Sequence, residues 1–295
     1  MSWSRSRWLS PVILGACASA HAQIGSGPGL QDHGVPWMLA LSAQRDDDAY
    51  EQAIASFHLG VTENTWLSLT AGGSRAPSTE PDVSAGLSAI GVEHDFGRIG
   101  FSVSFEDWGD AGNLETRDWR GEVFFSDERY RVALMRETRA IDIYYSGGGI
   151  LLPTDLRRAE IDADGLGVGW GFRLTPKWRT YGSWMSYDYP RRLALVPRID
   201  RLDLLSTSAV TLAYGFVDRY GTIGFEHTLG QKLVNLDLSQ DRSTIGRDRV
   251  DSIGASVLWP AAARVDLEFR LGSSRADSFG SRLYGGLTVL VYGGA

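Results

Sequence analysis

The chain has 295 residues, with 29 basic against 36 acidic side chains, a net charge of −7 and one cysteine, Cys17. An acidic chain is a poor partner for a phosphate backbone, so no nucleic acid is expected. A single cysteine excludes an intramolecular disulfide.

The first elements are export signals. Arg5 and Arg7 make a basic start, Trp8 to Ala18 is a short apolar core, and Ala20-His21-Ala22 fits the small-x-small cleavage pattern. Residues 1–22 therefore read as a signal peptide, with the mature chain starting at Gln23. The competing reading is a lipobox at Leu14-Gly15-Ala16-Cys17, which would leave Cys17 acylated. Residues 23–35 are Gly-rich and read as a flexible periplasmic leader. Beyond the signal no run of 18 apolar residues occurs, which excludes a membrane helix.

From residue 36 to 292 the chain divides into fourteen predicted strands: 36–45, 50–60, 65–75, 84–95, 98–108, 116–126, 129–144, 159–173, 177–189, 203–217, 220–236, 243–258, 263–274 and 280–292. Alternation is clearest in three of them. Ile99, Phe101, Val103 and Phe105 oppose Gly100, Ser102, Ser104 and Glu106. Leu166, Val168, Trp170, Phe172 and Leu174 oppose four glycines and Arg173. Val265, Leu267, Phe269 and Leu271 oppose Asp266, Glu268 and Arg270. Period two with one apolar and one polar face is the strand signature.

Short turns flanked by aromatic residues separate these segments at 62–64, 97–98, 127–128, 175–177, 218–219 and 260–262. Longer polar connections alternate with them at 76–83, 109–115, 145–158, 190–202 and 275–279. Trp37, Trp66, Phe96, Trp178 and Trp259 would form one aromatic girdle. Tyr50, Trp108, Trp119, Tyr144, Tyr145, Tyr187, Tyr189 and Phe279 would form the other. The hydrophobic phase slips near Gly230, which a β-bulge accommodates; a hairpin at Gly230-Gln231 would change the strand count. Twelve and sixteen strands are the alternatives. A soluble propeller would need a fixed repeat period, and none is present.

This pattern resembles the outer-membrane β-barrel proteins of Gram-negative bacteria, and porins in particular. The resemblance covers 36–292 and rests on general pattern, with no family-specific motif. It implies an all-β, antiparallel, up-and-down transmembrane barrel. It also implies an outer-membrane address and, as partners, membrane lipids, lipopolysaccharide and the barrel-assembly machinery. In such proteins the last strand ends in an aromatic residue. Here Tyr292 is followed by the short tail 293–295. A 22-stranded transporter is excluded, since about 12 residues would remain for each strand and turn.

The chemistry expected of such a chain lies in its lumen. Predicted inward charges are Glu106, Arg120, Glu122, Arg173, Asp266, Glu268, Arg270 and Arg282, which could set selectivity or instead pair across strands. Arg191, Arg192, Arg198 and Arg201 mark a basic, apolar segment that could fold inward as a constriction or lie against lipopolysaccharide phosphates. Asp46, Asp47, Asp48 and Glu51 could hold a hard cation, against the plainer reading of a solvated turn. Glu160, Asp162 and Asp164 could form an acidic lumen patch or pair with Arg136 and Arg139.

His33, His58, His94 and His227 show no nucleophile-and-base arrangement, so an enzyme is not expected. No metal-ligand spacing occurs, and no cofactor is expected. The leading functional expectation is a porin-like channel for small hydrophilic solutes. The alternatives are a structural or surface-interaction barrel with a blocked lumen and an outer-membrane lipid hydrolase.

Overall fold

The computed structural model describes residues 37–47, 49–76, 83–109, 114–146, 156–189, 216–244, 249–276 and 280–294. They form one closed barrel of fourteen antiparallel strands, each paired with its chain neighbours, with β14 returning to β1. The strands are β1 (Trp37–Asp46), β2 (Glu51–Thr62), β3 (Thr65–Ala76), β4 (Val83–Asp95), β5 (Ile99–Gly109), β6 (Leu114–Ser126) and β7 (Tyr130–Ser146). They continue as β8 (Leu156–Thr175), β9 (Trp178–Asp188), β10 (Val217–Leu229), β11 (Lys232–Ser243), β12 (Arg249–Ala262), β13 (Val265–Ala276) and β14 (Gly280–Gly293).

At one end of the barrel every connection is two or three residues long. The predicted turns at 62–64, 97–98, 127–128 and 175–177 fall there, and the one at 260–262 is displaced to 263–264. The turn expected at 218–219 is absent. Asp218 and Arg219 lie inside β10, where Arg219 pairs with Ser186 and Tyr220 with Met185. The missing turn is at Gly230-Gln231, where Gly230 takes a φ of 65°. A two-residue hairpin with glycine first meets the backbone demand that such a connection makes. The phase slip is therefore a chain reversal: Ile223 and Phe225 sit on β10, opposite Leu238 and Leu236 on β11, all facing out. The described strands number fourteen, as expected, with their boundaries reassigned between 217 and 262. A strand is gained at 230–231, and the strand expected at 203–217 lies almost wholly outside the described residues.

Alternation sorts the side chains between two environments. On β8, Leu166, Val168, Phe172 and Leu174 are exposed on the outer surface, while Gly165, Gly167, Gly169 and Gly171 line the interior. The outward apolar run from Leu174 to Leu166 covers eight residue steps. At about 3.3 Å per residue and a tilt near 40°, it forms a belt roughly 20 Å high, close to the apolar band of a membrane barrel. Beyond the belt the exterior turns polar. Arg136 pairs there with Asp164 at 3.1 Å, both of them exposed. Asp162 and Glu160 share the outer face with Asp164, so these acids form no lumen patch, and Arg139 pairs elsewhere. The hairpin of β7 and β8 thus projects past the belt at the long-connection end.

Phe96, Trp178 and Trp259 are exposed at the short-turn end, and Trp37 packs with Phe57 there at a centroid distance of 6.1 Å. Four girdle assignments are corrected, Tyr189 among them, which packs against the inward cluster of Met185 and Tyr187. Trp66 shares the inward phase of Ser68 and Thr70, and Trp108 and Tyr187 face the interior. In each case a polar neighbour or a strand end hid the phase.

Inside the barrel, aromatic rings lie on glycines of adjacent strands. The Tyr181 ring covers Gly224, the Tyr284 ring covers Gly272, and the Phe124 ring covers Gly100. Each ring lies flat against the wall because no Cβ stands beneath it. Gly272→Ala would drive the Tyr284 ring off the wall. The expected cost is about 1–3 kcal/mol of overpacking, read as a lower urea midpoint for unfolding from lipid vesicles. Small hydroxyl pairs fill other inward rungs: Ser42 with Thr288, Ser56 with Thr70, and Ser183 with Thr222, at 3.0 to 3.1 Å.

Candidate functional site: the charged inner wall

The largest charged constellation sits on β5 to β9, where consecutive inward positions on neighbouring strands carry opposite signs. Glu137 on β7 lies opposite Arg120 on β6, and Arg139 lies opposite Asp118. These pairs are two residues apart on each strand, so period-two geometry brings all four together.

Glu137 has no exposed surface. Its Oε1 accepts from Tyr187 Oη at 2.7 Å and from Arg139 Nη2 at 3.0 Å. Its Oε2 accepts from Arg120 Nε at 2.7 Å and also from Arg120 Nη2. Arg139 in turn donates Nη2 to Asp118 Oδ2 at 2.8 Å and Nε to both Asp118 oxygens, at 3.0 and 3.1 Å. The Arg139 guanidinium stands over the Tyr187 ring at 4.9 Å. Glu106, on β5 opposite Asp118, accepts a hydrogen bond from Trp108 Nε1. The guanidinium fork accounts for this density of bonds, since a planar five-donor cation can serve two carboxylates at once.

Nearer the short-turn end, Arg131 holds Glu122 at 2.8 Å and Glu93 at 3.6 Å, and stacks over Phe124 at 3.5 Å. Arg179 faces Glu226 at 3.8 Å. On the opposite wall Arg270 pairs with Asp237, and Arg282 faces Asp46 at 3.5 Å. Asp266 accepts from Tyr292 Oη at 2.9 Å. Every predicted lumen charge is on the inward face: Glu106, Arg120, Glu122, Arg173, Asp266, Glu268, Arg270 and Arg282. Among them Arg120, Glu122, Arg270 and Arg282 pair across strands. Sequence reasoning missed Asp118 and Glu137, offered Arg139 only as a partner for the acids of β8, and placed Tyr187 in a girdle. The inward phase of β7 was available from Val132 and Leu134, which alternate with Arg131, Ala133 and Met135.

The guanidiniums of Arg120, Arg131, Arg139, Arg179, Arg270 and Arg282 each have a carboxylate within ion-pair distance. Asp241, Asp266 and Glu268 lie on the same inner wall with no guanidinium at that distance. Arg173 adds one inward cation near the short-turn end and Glu106 one more inward acid, so the described wall carries an excess of negative charge. Directly beside the Glu137 network is an apolar inward cluster of Met135, Ala163, Met185, Tyr187, Val217 and Tyr220.

The other candidates resolve differently. Asp46 accepts from the Tyr50 amide at 2.8 Å and faces Arg282, while Glu51 pairs with Arg45 at 3.3 Å. These acids serve a turn and ion pairs, and no metal-holding group of three occurs among the described residues; Asp48 is outside them. His94 Nδ1 is 2.9 Å from Thr65 Oγ1, and His227 stacks on Trp178 at 4.1 Å. Arg191, Arg192, Arg198 and Arg201 lie outside the described residues, as do the signal peptide, Cys17 and the leader.

A closed antiparallel barrel of fourteen strands with an apolar exterior and a polar, charged interior defines the class: the architecture is that of the outer-membrane β-barrels. Among solved structures it is similar to the CymD monoaromatic hydrocarbon channel, with a TM-score of 0.56 and 7% identity over 88% of this chain and 89% of that one. It also aligns with an anion-selective porin from Comamonas acidovorans, with a TM-score of 0.47 and 8% identity over 87% of this chain and 98% of that one. No protein-family model and no curated protein matches the chain.

Proposed function

We propose that the protein is a porin-like channel of the bacterial outer membrane that passes small hydrophilic solutes, with a preference for cations. The observation that carries this reading is the inner wall itself. The guanidiniums of Arg120, Arg131, Arg139, Arg179, Arg270 and Arg282 are matched by carboxylates, and Asp241, Asp266, Glu268 and Glu106 outweigh the one further cation, Arg173. Rings of charge at close quarters set which ions enter.

The short-turn end faces the periplasm, and the β7–β8 projection faces outward. Export follows from cleavage after Ala22. The segment 190–202, with Arg191, Arg192, Arg198 and Arg201, is the candidate constriction. Hydrolysis of outer-membrane lipid is the weaker reading, since no described histidine bonds a Ser, Asp or Glu side chain.

The test is conductance of the refolded mature protein in a planar bilayer under a potassium chloride gradient. Stepwise conductance with a reversal potential displaced toward the cation is expected, and deletion of 190–202 should raise it. A second reading, a structural barrel with a blocked lumen, is favoured by the apolar inward cluster around Met185. Absence of conductance from a folded, heat-modifiable barrel would establish that reading in place of the channel.

A further inference from the structure

The rim at the short-turn end divides its charges by arc. Its acids, Glu63, Asp95, Asp127 and Glu128, all lie at the turns of β2–β3, β4–β5 and β6–β7, where Arg98 and Arg129 accompany them. The turns of β8–β9, β10–β11 and β12–β13 follow one another around the barrel and carry Lys177, Lys232 and Arg264, all exposed. No Asp or Glu occurs in the stretches 174–178, 229–232 and 259–265 that bound them. The nearest acids, Glu226 and Asp266, are buried on the inner wall, where Glu226 lies 3.8 Å from Arg179 and Asp266 accepts from Tyr292.

Lys177 and Lys232 are also the only two lysines among 29 basic residues. Each lies against a tryptophan of the girdle. Lys177 precedes Trp178, and the Lys232 ammonium stands over the Trp259 ring at 5.2 Å. Both rings are about half exposed, at 47% and 49%. Trp178 stacks on His227 at 4.1 Å, and the Lys177 carbonyl accepts from the Thr228 amide at 2.9 Å, which fixes the turn of β8–β9 beside β10. From this rim the outer face of β10 and β11 runs directly into the apolar belt through Leu229, Phe225, Leu236 and Leu238.

The neighbouring medium follows from these contacts. Tryptophan at the edge of an apolar belt marks the level where acyl chains meet headgroups. A lysine beside it lays its methylene stem along the apolar surface and keeps its ammonium at the height of the phosphates. Lysine suits this place because it is a point charge on a flexible stem, whereas the planar arginine fork serves the fixed carboxylates of the inner wall. Charge selects among headgroups. Three cations without an acid favour a headgroup with net negative charge, and a zwitterionic one brings its own ammonium against them. On the other arc the acids cancel that attraction.

We infer that the outer face of β9 to β12 at the short-turn end binds the headgroups of anionic phospholipids, with Lys177, Lys232 and Arg264 meeting the phosphates and Trp178 and Trp259 flanking the chains. The inference rests on the membrane orientation proposed above and is independent of conduction through the lumen.

The test is native mass spectrometry of the refolded mature protein in detergent, with phosphatidylglycerol and phosphatidylcholine of the same acyl chains added in equal amounts. Phosphatidylglycerol should be retained in preference. Lys177→Met with Lys232→Met keeps both stems and removes both ammoniums. It should weaken the phosphatidylglycerol adduct about tenfold or more, the scale set by two cations at an anionic lipid surface. Arg98→Met with Arg129→Met takes the same charge from the other arc and should leave the adduct unchanged. Equal retention of the two lipids, or equal losses in the two double variants, would overturn the site. A protein dimer in place of lipid adducts would assign the face to a second copy of the chain and overturn it as well. Insertion into lipid vesicles, read by heat-modifiable mobility, separates this inference from the reading beneath it. A chain that never inserts removes the membrane reading and the site with it; an inserted barrel without the lipid preference removes the site alone.

Discussion

Glu137→Ala should cost about 3–5 kcal/mol of barrel stability, the range for breaking a buried ion pair by removing one partner. The size follows from what remains. Arg120 loses the carboxylate that takes both its Nε and Nη2, and Arg139 loses one of the two carboxylates it bonds. Tyr187 loses the acceptor of its hydroxyl. Glu137→Gln should cost less, because the amide oxygen still accepts while the charge is lost. The double variant Glu137→Leu with Arg120→Met should recover much of the loss, since an apolar pair of similar volume is often as stable as the ion pair it replaces. The measurement is the urea midpoint of reversible unfolding from lipid vesicles, followed by tryptophan fluorescence.

The same number reports on the lumen. If water reached Glu137 freely, the pair would be worth about 0–1 kcal/mol, as solvated pairs are. A loss below that level in Glu137→Ala would show that the network is solvated and the passage wide at this height. A loss near the upper value would show a dry, packed layer, with solute confined to the remaining part of the lumen beside Asp237, Glu268 and Arg270. Glu137→Gln also removes one negative charge, so the reversal potential in a salt gradient should move away from cation preference.

Much of the fold was legible in the sequence, for a definite reason. Lipid on one side and polar groups on the other force period two, so Val265 to Leu271 or Ile99 to Phe105 reveal strand, phase and facing together. The failure at 218–231 has an equally definite cause. Asp218-Arg219 between Phe216 and Tyr220 looks like a turn with its aromatic flank, while Gly230-Gln231 has none. Backbone conformation, which a residue pattern reports only weakly, decided between them. The inward charges were legible as charges facing in. Their partners were not, because register between strands depends on turn lengths that shift by a residue or two. Glu137 was passed over for that reason, and Arg139 was matched with the acids of β8 instead of with Asp118 and Glu137.

Val132→Arg should cost about 2–4 kcal/mol, the penalty of a cation at the middle of the lipid-facing band. Val132 faces outward on β7 opposite Trp170, within the apolar belt that runs from Leu174 to Leu166 on β8. Thr138 lies on the same outer face of the same strand, past the Arg136–Asp164 pair. Thr138→Arg should therefore change stability by less than about 0.5 kcal/mol, as surface substitutions usually do. Both sites are exposed, both substitutions add one guanidinium, and both leave the inner wall untouched. Only the surrounding medium differs, so the contrast in urea midpoint measures where lipid ends. Equal and small effects would mean that water bathes the whole exterior, and the membrane reading would fall. Equal and large effects would place the projecting β7–β8 hairpin in lipid too, which the exposed pair of Arg136 and Asp164 argues against, because two charges on a lipid-facing surface would lose their hydration for a single 3.1 Å contact.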